Sequence, residues 1–480
     1  MITAPKIDGL RTRLAGVGQD HLLRFIDELS PEAAADLVAQ IESIDLASLP
    51  GLIDRYVRSE EHFALPPDIE PAPFYPRDAA SPARRWDRAA AKARGEALIA
   101  AGKVGCFTVA GGQGSRLGYD GPKGCYPTGA VSDKPLFQIF AEGILAASRR
   151  YGKRIPWCVM TSPLNHEATE SFFREHGFFG LREDDVLFFM QGTMPSFDKA
   201  TGRILLAEKG VVATNPDGHG GAIRALAVSG AVGELKRRGV EHISYWQVDN
   251  PNIIVLDPVF VGLHAGASDS SGEMSSKMLP KANAAEKVGV FCRAGGRTMV
   301  IEYSDLPASL AAETNPGGSL KYIAGSPAIH MLGVGFVEKV AGDPAFALPY
   351  HRAVKKVPFV DLETGETVSP AEPNAVKLER FIFDAIPLAS RSIILEADRV
   401  EEFAPVKNKE GVDSIVTSKL LQTERAARWL EAAGVRVPRK ADGSPDCVLE
   451  ISPLTATSAE ELAGRKDLPG SIKAGSTTLL

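Results

Sequence analysis

Apolar residues between positions 104 and 248 fall into two alternating patterns. Short apolar runs predict strands, and stretches with an apolar residue every three or four positions predict helices. This alternation is typical of βαβ units, so we predict an α/β fold with a doubly wound, mostly parallel central sheet. The predicted strands are 104–110, 157–161, 186–191 and 242–248, and the predicted helices are 136–150, 165–175 and one or two within 221–238.

The chain before this region has a helical pattern. Apolar residues recur at helical spacing between Leu22 and Leu29. Ser30 followed by Pro31 predicts the start of a second helix, because serine caps helices and proline fits their first turn. We therefore predict a helical N-terminal segment over residues 1–95.

After Pro258 the pattern changes to short strands separated by turns, including 288–293 and 298–303. We interpret this stretch as an insertion within the same central domain. Near the C-terminus, one helix and a terminal strand predict a small α+β unit. The chain is thus expected to have three parts, residues 1–95, 96–399 and 400–480, with the last helix at 418–433 and a strand at 447–451.

A glycine-rich turn follows the first strand of the alternating region. The apolar run 104–110 ends in Gly111, Gly112 and Gly114. Glycine lets a backbone turn sharply and approach a ligand closely, because it has no Cβ. Arg116 and Lys123 add cations just beyond the turn. A strand, a glycine turn and flanking cations favour a ligand that carries phosphate.

Two known phosphate-binding loops are excluded by the spacing. A P-loop requires Ser or Thr after its lysine, and Lys123 is followed by Gly124. The dinucleotide fingerprint requires glycine or alanine at its last position, where a count from Gly112 reaches Leu117. The glycines alone therefore leave an ordinary strand-to-helix turn open as an alternative.

Two further polar residues follow predicted strands. Gln191 ends the strand 186–191, and Asp249 follows the strand 242–248. Ligands of open parallel sheets bind at the carboxyl ends of the strands, so we expect both side chains to lie near the glycine turn. A carboxylate in this position suits Mg²⁺, which is often held by one or two carboxylates and substrate phosphates. A cap of the following turn is the alternative for Asp249.

The composition is that of a globular enzyme with a large core. The chain has 480 residues, of which 44% are hydrophobic and 24% charged. Its net charge of −6 argues against a general nucleic-acid binder. An anionic ligand would therefore need cations placed locally, or a metal ion.

The cysteines and the N-terminus bear on the compartment. The five cysteines are scattered, with no C-x-x-C pair, so we expect neither a zinc site nor a disulfide framework. Residues 1–5 lack a basic-then-apolar signal pattern, and no apolar stretch reaches the ~18 residues of a membrane span. We expect a cytoplasmic protein without a membrane partner.

The full string Ala110-Gly-Gly-Gln-Gly-Ser-Arg-Leu-Gly118, with Pro122-Lys-Gly124 just after it, resembles the signature of eukaryotic-type UDP-sugar pyrophosphorylases. The resemblance runs from about residue 10 to Leu454 and is nearest to the N-acetylhexosamine branch. It implies a Rossmann-like, GT-A-like nucleotidyltransferase with 96–399 as its catalytic domain. It also implies a uridylyl transfer from UTP to a sugar 1-phosphate with Mg²⁺ as cofactor, and N-acetylglucosamine 1-phosphate as the expected acceptor.

The resemblance assigns roles to individual residues. By composition Lys407 is an unremarkable surface lysine, but it stands in the family's Pro-x-Lys-Asn motif. A side-chain amide such as that of Gln191 can both donate to and accept from uracil, whose edge presents an N–H between two carbonyls. The implied catalytic residues are Arg116, Lys123 and Lys407, the metal ligand is Asp249, and the uracil site is Gln191 with Gly111 and Gly112.

A second glycine turn mixes features of two branches of the family. Residues 216–221 read Pro-Asp-Gly-His-Gly-Gly, which is the N-acetylhexosamine frame with the histidine of the UDP-glucose branch. We expect Gly218 and His219 to meet the nucleotide or sugar, with His219 as a neutral hydrogen-bonding ligand rather than a general base.

Three residues are implied around the sugar: Gly289, Glu302 and Ser326. Ser326 replaces the asparagine of the family's Ala-Gly-Asn motif, and serine has a shorter reach. Together with His219, this leaves a UTP–glucose-1-phosphate uridylyltransferase, or a UDP-sugar pyrophosphorylase of broad specificity, open as alternatives.

Two rivals from other classes can be weighed. A non-catalytic UDP-sugar-binding protein would be expected to lose the metal carboxylate or a phosphate cation, and Asp249, Arg116, Lys123 and Lys407 are all present. An NAD-dependent dehydrogenase fails on the broken fingerprint. The oligomeric state has no signal in the sequence.

Overall fold

The structure is a computed structural model that describes residues 4–59, 64–343 and 346–480. Met1 to Thr3, which belong to the N-terminal stretch examined for a signal pattern, lie outside the described residues. The helices are α1 (Ala4–Gly16), α2 (Pro31–Glu42), α3 (Leu49–Leu52), α4 (Arg88–Ala100), α5 (Leu136–Tyr151), α6 (His166–Glu175), α7 (Gly221–Val228), α8 (Ala231–Arg237), α9 (Pro258–Gly266), α10 (Ala308–Ala311), α11 (Val334–Gly342), α12 (Arg399–Glu402), α13 (Ile415–Ala432) and α14 (Ala459–Ala463).

The strands are mostly short. They are β1 (Glu70–Pro71), β2 (Val104–Val109), β3 (Trp157–Thr161), β4 (Val186–Met190), β5 (Thr193–Pro195), β6 (Phe197–Asp198), β7 (Leu206–Glu208), β8 (Val211–Val212), β9 (Thr214–Pro216), β10 (His242–Gln247), β11 (Met274–Pro280), β12 (Val290–Ala294), β13 (Arg297–Ile301), β14 (Ala324–Gly325), β15 (His330–Gly333), β16 (His351–Lys355), β17 (Phe359–Val360), β18 (Thr367–Val368), β19 (Ala375–Glu379), β20 (Ile394–Glu396), β21 (Val448–Glu450) and β22 (Thr477–Leu479).

The central sheet has eleven strands and is mixed rather than mostly parallel. Its strand order is β1-β12-β14-β11-β15-β10-β2-β3-β4, with β13 beside β12 and β20 beside β11. Strands β10, β2, β3 and β4 run parallel, whereas β15 and β11 continue the sheet with antiparallel pairs. The expected parallel arrangement therefore holds for one half of the sheet. The other half includes a strand pair joined by a tight turn, β12 with β13, and such turns connect antiparallel strands only.

The described chain packs as two compact units. One comprises the described residues of 1–64, 192–221 and 348–382, and the other comprises the rest. The first unit buries the apolar faces of α1 and α2 together with residues of β6 and β19 in one core. The predicted start of α2 is confirmed, because the Ser30 hydroxyl accepts from the Ala33 amide and Pro31 is the first helical residue. The pattern around Leu22–Leu29 forms two single turns of 3₁₀ helix and no longer helix.

The second unit contains the eleven-stranded sheet. Its main core lies between the sheet and helices that include α4, α5 and α9. Residues around α13 and β21 form a separate, smaller core near the C-terminus. The expected boundary at residue 95 falls inside α4, which packs along α9. The division into three domains stays a prediction.

The register of the parallel strands aligns their carboxyl ends. Gln247 of β10 is opposite Val109 of β2, and Val109 is opposite Met160 of β3. The chain visits β2, β3 and β4 in one direction across the sheet and then returns to place β10 on the other side of β2. The crevice between the ends of β2 and β10 is thus a topological switch point, where open α/β sheets bind their ligands.

Within the described ranges, no helix is both long enough and apolar enough to cross a membrane.

Two neighbouring histidines, one fully buried and one half-buried, are expected to make the second unit sensitive to acid. His264 of α9 is fully buried, and its Nδ1 lies 2.8 Å from the Ser275 hydroxyl. The His242 ring lies edge-on to it, with 5.0 Å between ring centroids. Burial lowers the pKa of His264 to about 3, and it lowers the pKa of His242 as well.

We expect the thermal unfolding midpoint to fall as the pH drops below 6.5. A histidine in the unfolded chain has a pKa of about 6.5, whereas folded His264 stays neutral well below that pH. Between the two pKa values, proton binding therefore favours the unfolded state. Each such histidine removes up to about 1.4 kcal/mol of unfolding free energy per pH unit until the folded pKa is reached. The unfolding midpoint of H264N should therefore fall less between pH 7 and pH 5 than that of the unaltered protein. The exposed histidine variant H176N serves as the control, and equal pH dependence in H264N and H176N would contradict the assignment.

Candidate active site

The glycine loop is held against a neighbouring strand end by close backbone packing. A Cβ on Gly111 would lie 2.7 Å from Oε1 of Gln191, so the loop backbone and this side chain are in close contact. Gln191 follows β4, is buried, and donates its backbone amide to the Thr161 carbonyl at 2.8 Å. A Cβ on Gly112 would meet no described heavy atom within 4 Å. The loop is therefore packed on one side and open on the other, which leaves room for a ligand.

Asn165, which the sequence did not single out, shapes this loop. Its Nδ2 donates to the carbonyl of Ala110 at 3.0 Å and to that of Gly112 at 3.2 Å. Its Oδ1 accepts from the Ser162 amide at 2.7 Å, and the side chain is 1% exposed. A buried amide that bonds the backbone at both ends holds the loop in one conformation.

Asp249 and Lys123 face each other at the switch point. Asp249 lies two residues beyond the end of β10, and Lys123 lies on the connection from β2 to α5. The Lys123 Nζ is 3.9 Å from the Asp249 Oδ2, and each side chain is 16% exposed. The Lys123 amide donates to the Gly112 carbonyl at 3.1 Å, so this lysine is tied to the glycine loop by its backbone.

The electrostatic surroundings of Lys123 are strongly cationic. Burial lowers the pKa of Lys123 first, and the charges of Lys407 and Arg116 lower it further, against the raising effect of Asp249 and Asp413. Three cations and two carboxylates therefore lie within electrostatic range of one another. A site of this kind suits an anionic ligand, because the ligand's charge would relieve the repulsion between the cations.

Lys407 lies on a loop that folds back on itself. Its Nζ is 3.7 Å from the Asp413 Oδ2, and its side chain is 45% exposed. The amides of Lys407 and Asn408 both donate to the Asp413 carbonyl, at 2.6 and 3.1 Å. Asp413 takes a φ of 57°, a left-handed conformation that aspartate and asparagine adopt more easily than most residues. Asp413 is thus a second residue that the sequence did not single out.

The three residues expected around the sugar form a separate cluster on the same sheet. The Ser326 amide donates to the Gly289 carbonyl at 2.8 Å. A Cβ on Gly289 would lie 3.1 Å from Oε1 of Glu302, so these two residues are in contact. The Ser326 hydroxyl oxygen is buried and has no hydrogen-bond partner among the described residues. It is therefore available to a bound group.

Gly218 and His219 belong to the other compact unit. A Cβ on Gly218 would lie 2.3 Å from the Arg380 carbonyl, so the turn packs directly on the 378–384 stretch. The His219 Nδ1 accepts from the Ile382 amide at 3.1 Å, and the ring stacks on Phe381 with 5.1 Å between centroids. Because Nδ1 accepts, the ring is neutral with its proton on Nε2. This geometry agrees with the expectation of a neutral donor rather than a general base, and the role of His219 stays a prediction.

The residues present suit a hard divalent cation. Among the described residues, no group of three or more His, Cys, Asp or Glu side chains could hold a metal ion. Asp249 follows β10 and faces Lys123, whose backbone is bonded to the glycine loop. Mg²⁺ is usually bound through one or two carboxylates, with waters and substrate phosphates completing its shell, so a single carboxylate beside a phosphate site fits it. Zinc would need several nitrogen or sulfur ligands and does not fit.

A parallel sheet edge with a glycine loop, three cations and two carboxylates in electrostatic range is typical of an α/β protein that binds a nucleotide. Residues 79–433 match the family described as UTP–glucose-1-phosphate uridylyltransferase. The chain is 37% identical over 482 residues to UDP-N-acetylglucosamine diphosphorylase 2 of Arabidopsis thaliana, covering 96% of this chain and 92% of that protein. It is 34% identical over 460 residues to UDP-N-acetylglucosamine pyrophosphorylase of Saccharomyces cerevisiae, covering 93% and 94%.

Solved structures agree with this assignment. The uridine diphosphate N-acetylglucosamine pyrophosphorylase of Trypanosoma brucei, solved in complex with an inhibitor, superposes with a TM-score of 0.81 at 26% identity and 98% coverage of both chains. The chain belongs to the UTP–glucose-1-phosphate uridylyltransferase family, as its resemblance to UDP-sugar pyrophosphorylases predicted. It is an enzyme of the nucleotidyltransferase type.

Proposed function

We propose that the enzyme joins UTP to N-acetylglucosamine 1-phosphate, giving UDP-N-acetylglucosamine and pyrophosphate, with Mg²⁺ as cofactor. The proposal is carried by Lys123 and Asp249, which face each other at 3.9 Å beside the glycine loop at the switch point, with Lys407 within electrostatic range of Lys123. The names of the relatives support the choice of sugar. The finer fold description, a doubly wound sheet of the GT-A-like kind, is part of this proposal and is supported by α5 and α6, which connect successive parallel strands.

The chemistry is an in-line displacement at phosphorus. An oxygen of the sugar phosphate attacks the α-phosphorus of UTP, one P–O bond forms, and the bond to the β-phosphate oxygen breaks as pyrophosphate leaves. A sugar phosphate is already ionised near neutral pH, so no general base is required. The protein's task is therefore to position the two phosphates and to offset their charge.

Each residue of the edge has a place in that task. Lys123, Arg116 and Lys407 neutralise the triphosphate and the charge that develops on the leaving pyrophosphate. Asp249 would hold Mg²⁺, which would act as a Lewis acid and offset phosphate charge when bound. Gln191 lies against Gly111, where its amide can meet the uracil edge while the loop backbone contacts the nucleotide.

Two residues favour an alternative acceptor sugar. His219 and Ser326 depart from the N-acetylhexosamine pattern, so glucose 1-phosphate, or a broad range of sugar phosphates, is the alternative. A purely binding protein would be expected to lose the metal carboxylate or a phosphate cation, and this chain keeps them all: Asp249, Arg116, Lys123 and Lys407.

An assay with a panel of substrates tests the proposal. The protein is mixed with UTP, Mg²⁺ and one of several sugar 1-phosphates, and pyrophosphate release is followed. We expect the highest kcat/KM with N-acetylglucosamine 1-phosphate. Preference for glucose 1-phosphate would overturn the choice of sugar, and no release with any sugar would overturn the reaction.

Ser326→Asn is expected to shift the sugar preference. The Ser326 hydroxyl is buried without a described partner beside Gly289 and Glu302, and asparagine would place a longer amide there. One added or lost contact in such a pocket is worth roughly 10- to 200-fold in kcat/KM between two substrates. The ratio of kcat/KM for N-acetylglucosamine 1-phosphate to that for glucose 1-phosphate measures it, with S326A as the comparison that only removes the hydroxyl. An unchanged ratio in both variants would show that this position does not discriminate.

A further inference from the structure

The segment that carries Lys407 is pinned to the switch point by a buried asparagine. Asn250 follows Asp249 directly and is 6% exposed. Its Nδ2 donates to the Glu402 carbonyl at 2.6 Å, and its Oδ1 accepts from the Ala404 amide at 2.9 Å. Ala404 is 154 residues away along the chain, so one side chain joins two distant parts of the sequence.

Two further hydrogen bonds extend the same clamp. The Val406 amide donates to the carbonyl of Asp249 at 2.8 Å. From the other side, the Ser418 hydroxyl of α13 donates to the Ala404 carbonyl at 2.6 Å. Ala404, Val406 and Ser418 are all fully buried. The three residues before Lys407 are therefore held between the Asp249–Asn250 turn and α13, with no solvent to compete for these bonds.

The start of the segment is anchored as well. Glu402 ends α12, and its carboxylate accepts from the fully buried Lys277 at 2.7 Å. The same Lys277 Nζ donates to Asp257 at 2.7 Å. Removing one partner from a buried ion pair is costly, so the contact with Lys277 anchors Glu402 in the unit. Asn250 thus links a rigid anchor to the loop that carries Lys407.

We propose that Asn250 is the positioning residue that sets Lys407 relative to Asp249 before substrate arrives. The inference rests on the proposed role of Lys407 in uridylyl transfer. Asparagine is required at this position because one side chain must both donate and accept. Asp249 is fixed to the same turn, so the carboxylate and the lysine keep one spacing, and a displacement of about 1 Å at such a site can cost 10²-fold in rate.

Kinetics of Asn250→Ala test the proposal against a matched control. We expect kcat to fall about 10- to 100-fold while the KM for UTP stays within about threefold, because uracil and triphosphate keep their other contacts. The control is N252A. Asn252 is 2% exposed, and its side chain donates to the Val400 carbonyl at 3.1 Å. Its truncation therefore perturbs the same region while the Asn250 bonds to residues 402 and 404 stay in place. Similar losses of kcat in N250A and N252A would overturn the proposal.

A double-mutant cycle shows whether Asn250 acts through Lys407. If it does, N250A/K407A should have the kcat of K407A alone, because the lysine that Asn250 positions is already gone. Multiplied losses in the double variant would overturn the proposal. Should N250A fail to fold, N250S can keep one of the two bonds and is expected to show a smaller loss of kcat with the same non-additivity.

Hydrogen exchange in the full-length, substrate-free protein gives a readout independent of activity. The amides of Ala404 and Val406 should exchange faster in N250A than in the unaltered protein. The amides of β2 should exchange at the same rate in the two proteins. Unchanged exchange at residues 404–406 would show that Asn250 does not hold this segment in place, which would overturn the proposal. If the unaltered protein released no pyrophosphate, the proposed function would be wrong. The exchange measurement would still show whether Asn250 holds residues 404–406 in place.

Discussion

Asp249→Ala is expected to lower Mg²⁺-dependent turnover by about a thousandfold or more while leaving the fold intact. A bound divalent ion contributes several kcal/mol to a phosphoryl transition state, and each 1.36 kcal/mol is a factor of ten in rate. Asp249 is the carboxylate that stands 3.9 Å from Lys123 at the open end of the glycine loop. It lies past the end of β10, so its removal leaves the ladder to β2 untouched. Pyrophosphate release across a Mg²⁺ titration measures the effect.

A carboxylate elsewhere provides the control for this variant. Asp467 is 66% exposed in its side chain and pairs only with Arg465 among the ion pairs of the described residues. D467N should keep full activity and the same Mg²⁺ dependence. If D249A kept its turnover and its Mg²⁺ dependence, the metal ligand would be misassigned, and a circular dichroism spectrum that differed from the unaltered protein would show a folding defect instead.

Local patterns predicted the parallel half of the fold well. The strand 157–161 matches β3 at both ends, because its run of apolar residues is bounded by a proline and a polar turn. The predicted strands at 104–110 and 242–248 extend only one residue beyond β2 and β10. The placement of Gln191 and Asp249 near the glycine turn followed from one rule about parallel strand ends, and the register of β2 and β10 agrees with it.

The rest depends on contacts between distant residues. Period-two patterning does not say which neighbour a strand will choose, so the antiparallel pairs of β15 with β10 and β11 could not be predicted. Nor could the core that joins α1 and α2 to β6 and β19, whose residues are far apart in sequence.

The residues of the candidate site were likewise only partly predictable from local sequence patterns. Lys407 was found only through a family motif, since nothing near it in sequence marks it. Asn165 and Asn250 act through side-chain hydrogen bonds to backbone groups that the fold brings to them, and the Asp413 carbonyl accepts from two amides of its own loop. An asparagine after an aspartate, or at the start of a helix, is an ordinary turn residue by pattern. Only the burial of its amide shows that it has structural partners.

Lys123→Ala is expected to lower kcat by about 10²- to 10³-fold, the usual cost of removing one preorganised donor at a developing charge. Lys123 is 16% exposed and bonded through its amide to the glycine loop, so it is the most firmly placed cation of the site. K236A, at a 54% exposed lysine that pairs with Glu338, is the control and should be unchanged. A rise in the KM for UTP with an unaltered kcat would contradict this role, because it would mean that Lys123 binds the ground state and the transition state equally.

The pH dependence of kcat/KM separates the effect of the charge at position 123 from the effect of the side chain's shape. Burial, aided by Lys407 and Arg116, lowers the pKa of Lys123 below the 10.5 of a free lysine. The free enzyme therefore loses this cation at a lower pH than an exposed lysine would, and kcat/KM, which reports the free enzyme, should fall on the alkaline side accordingly. Arginine stays protonated throughout this range, so K123R should be slower at neutral pH, because its fork differs from an ammonium, yet should show its alkaline decline at higher pH. An alkaline decline at the same pH in K123R and the unaltered protein would assign the titration to another group.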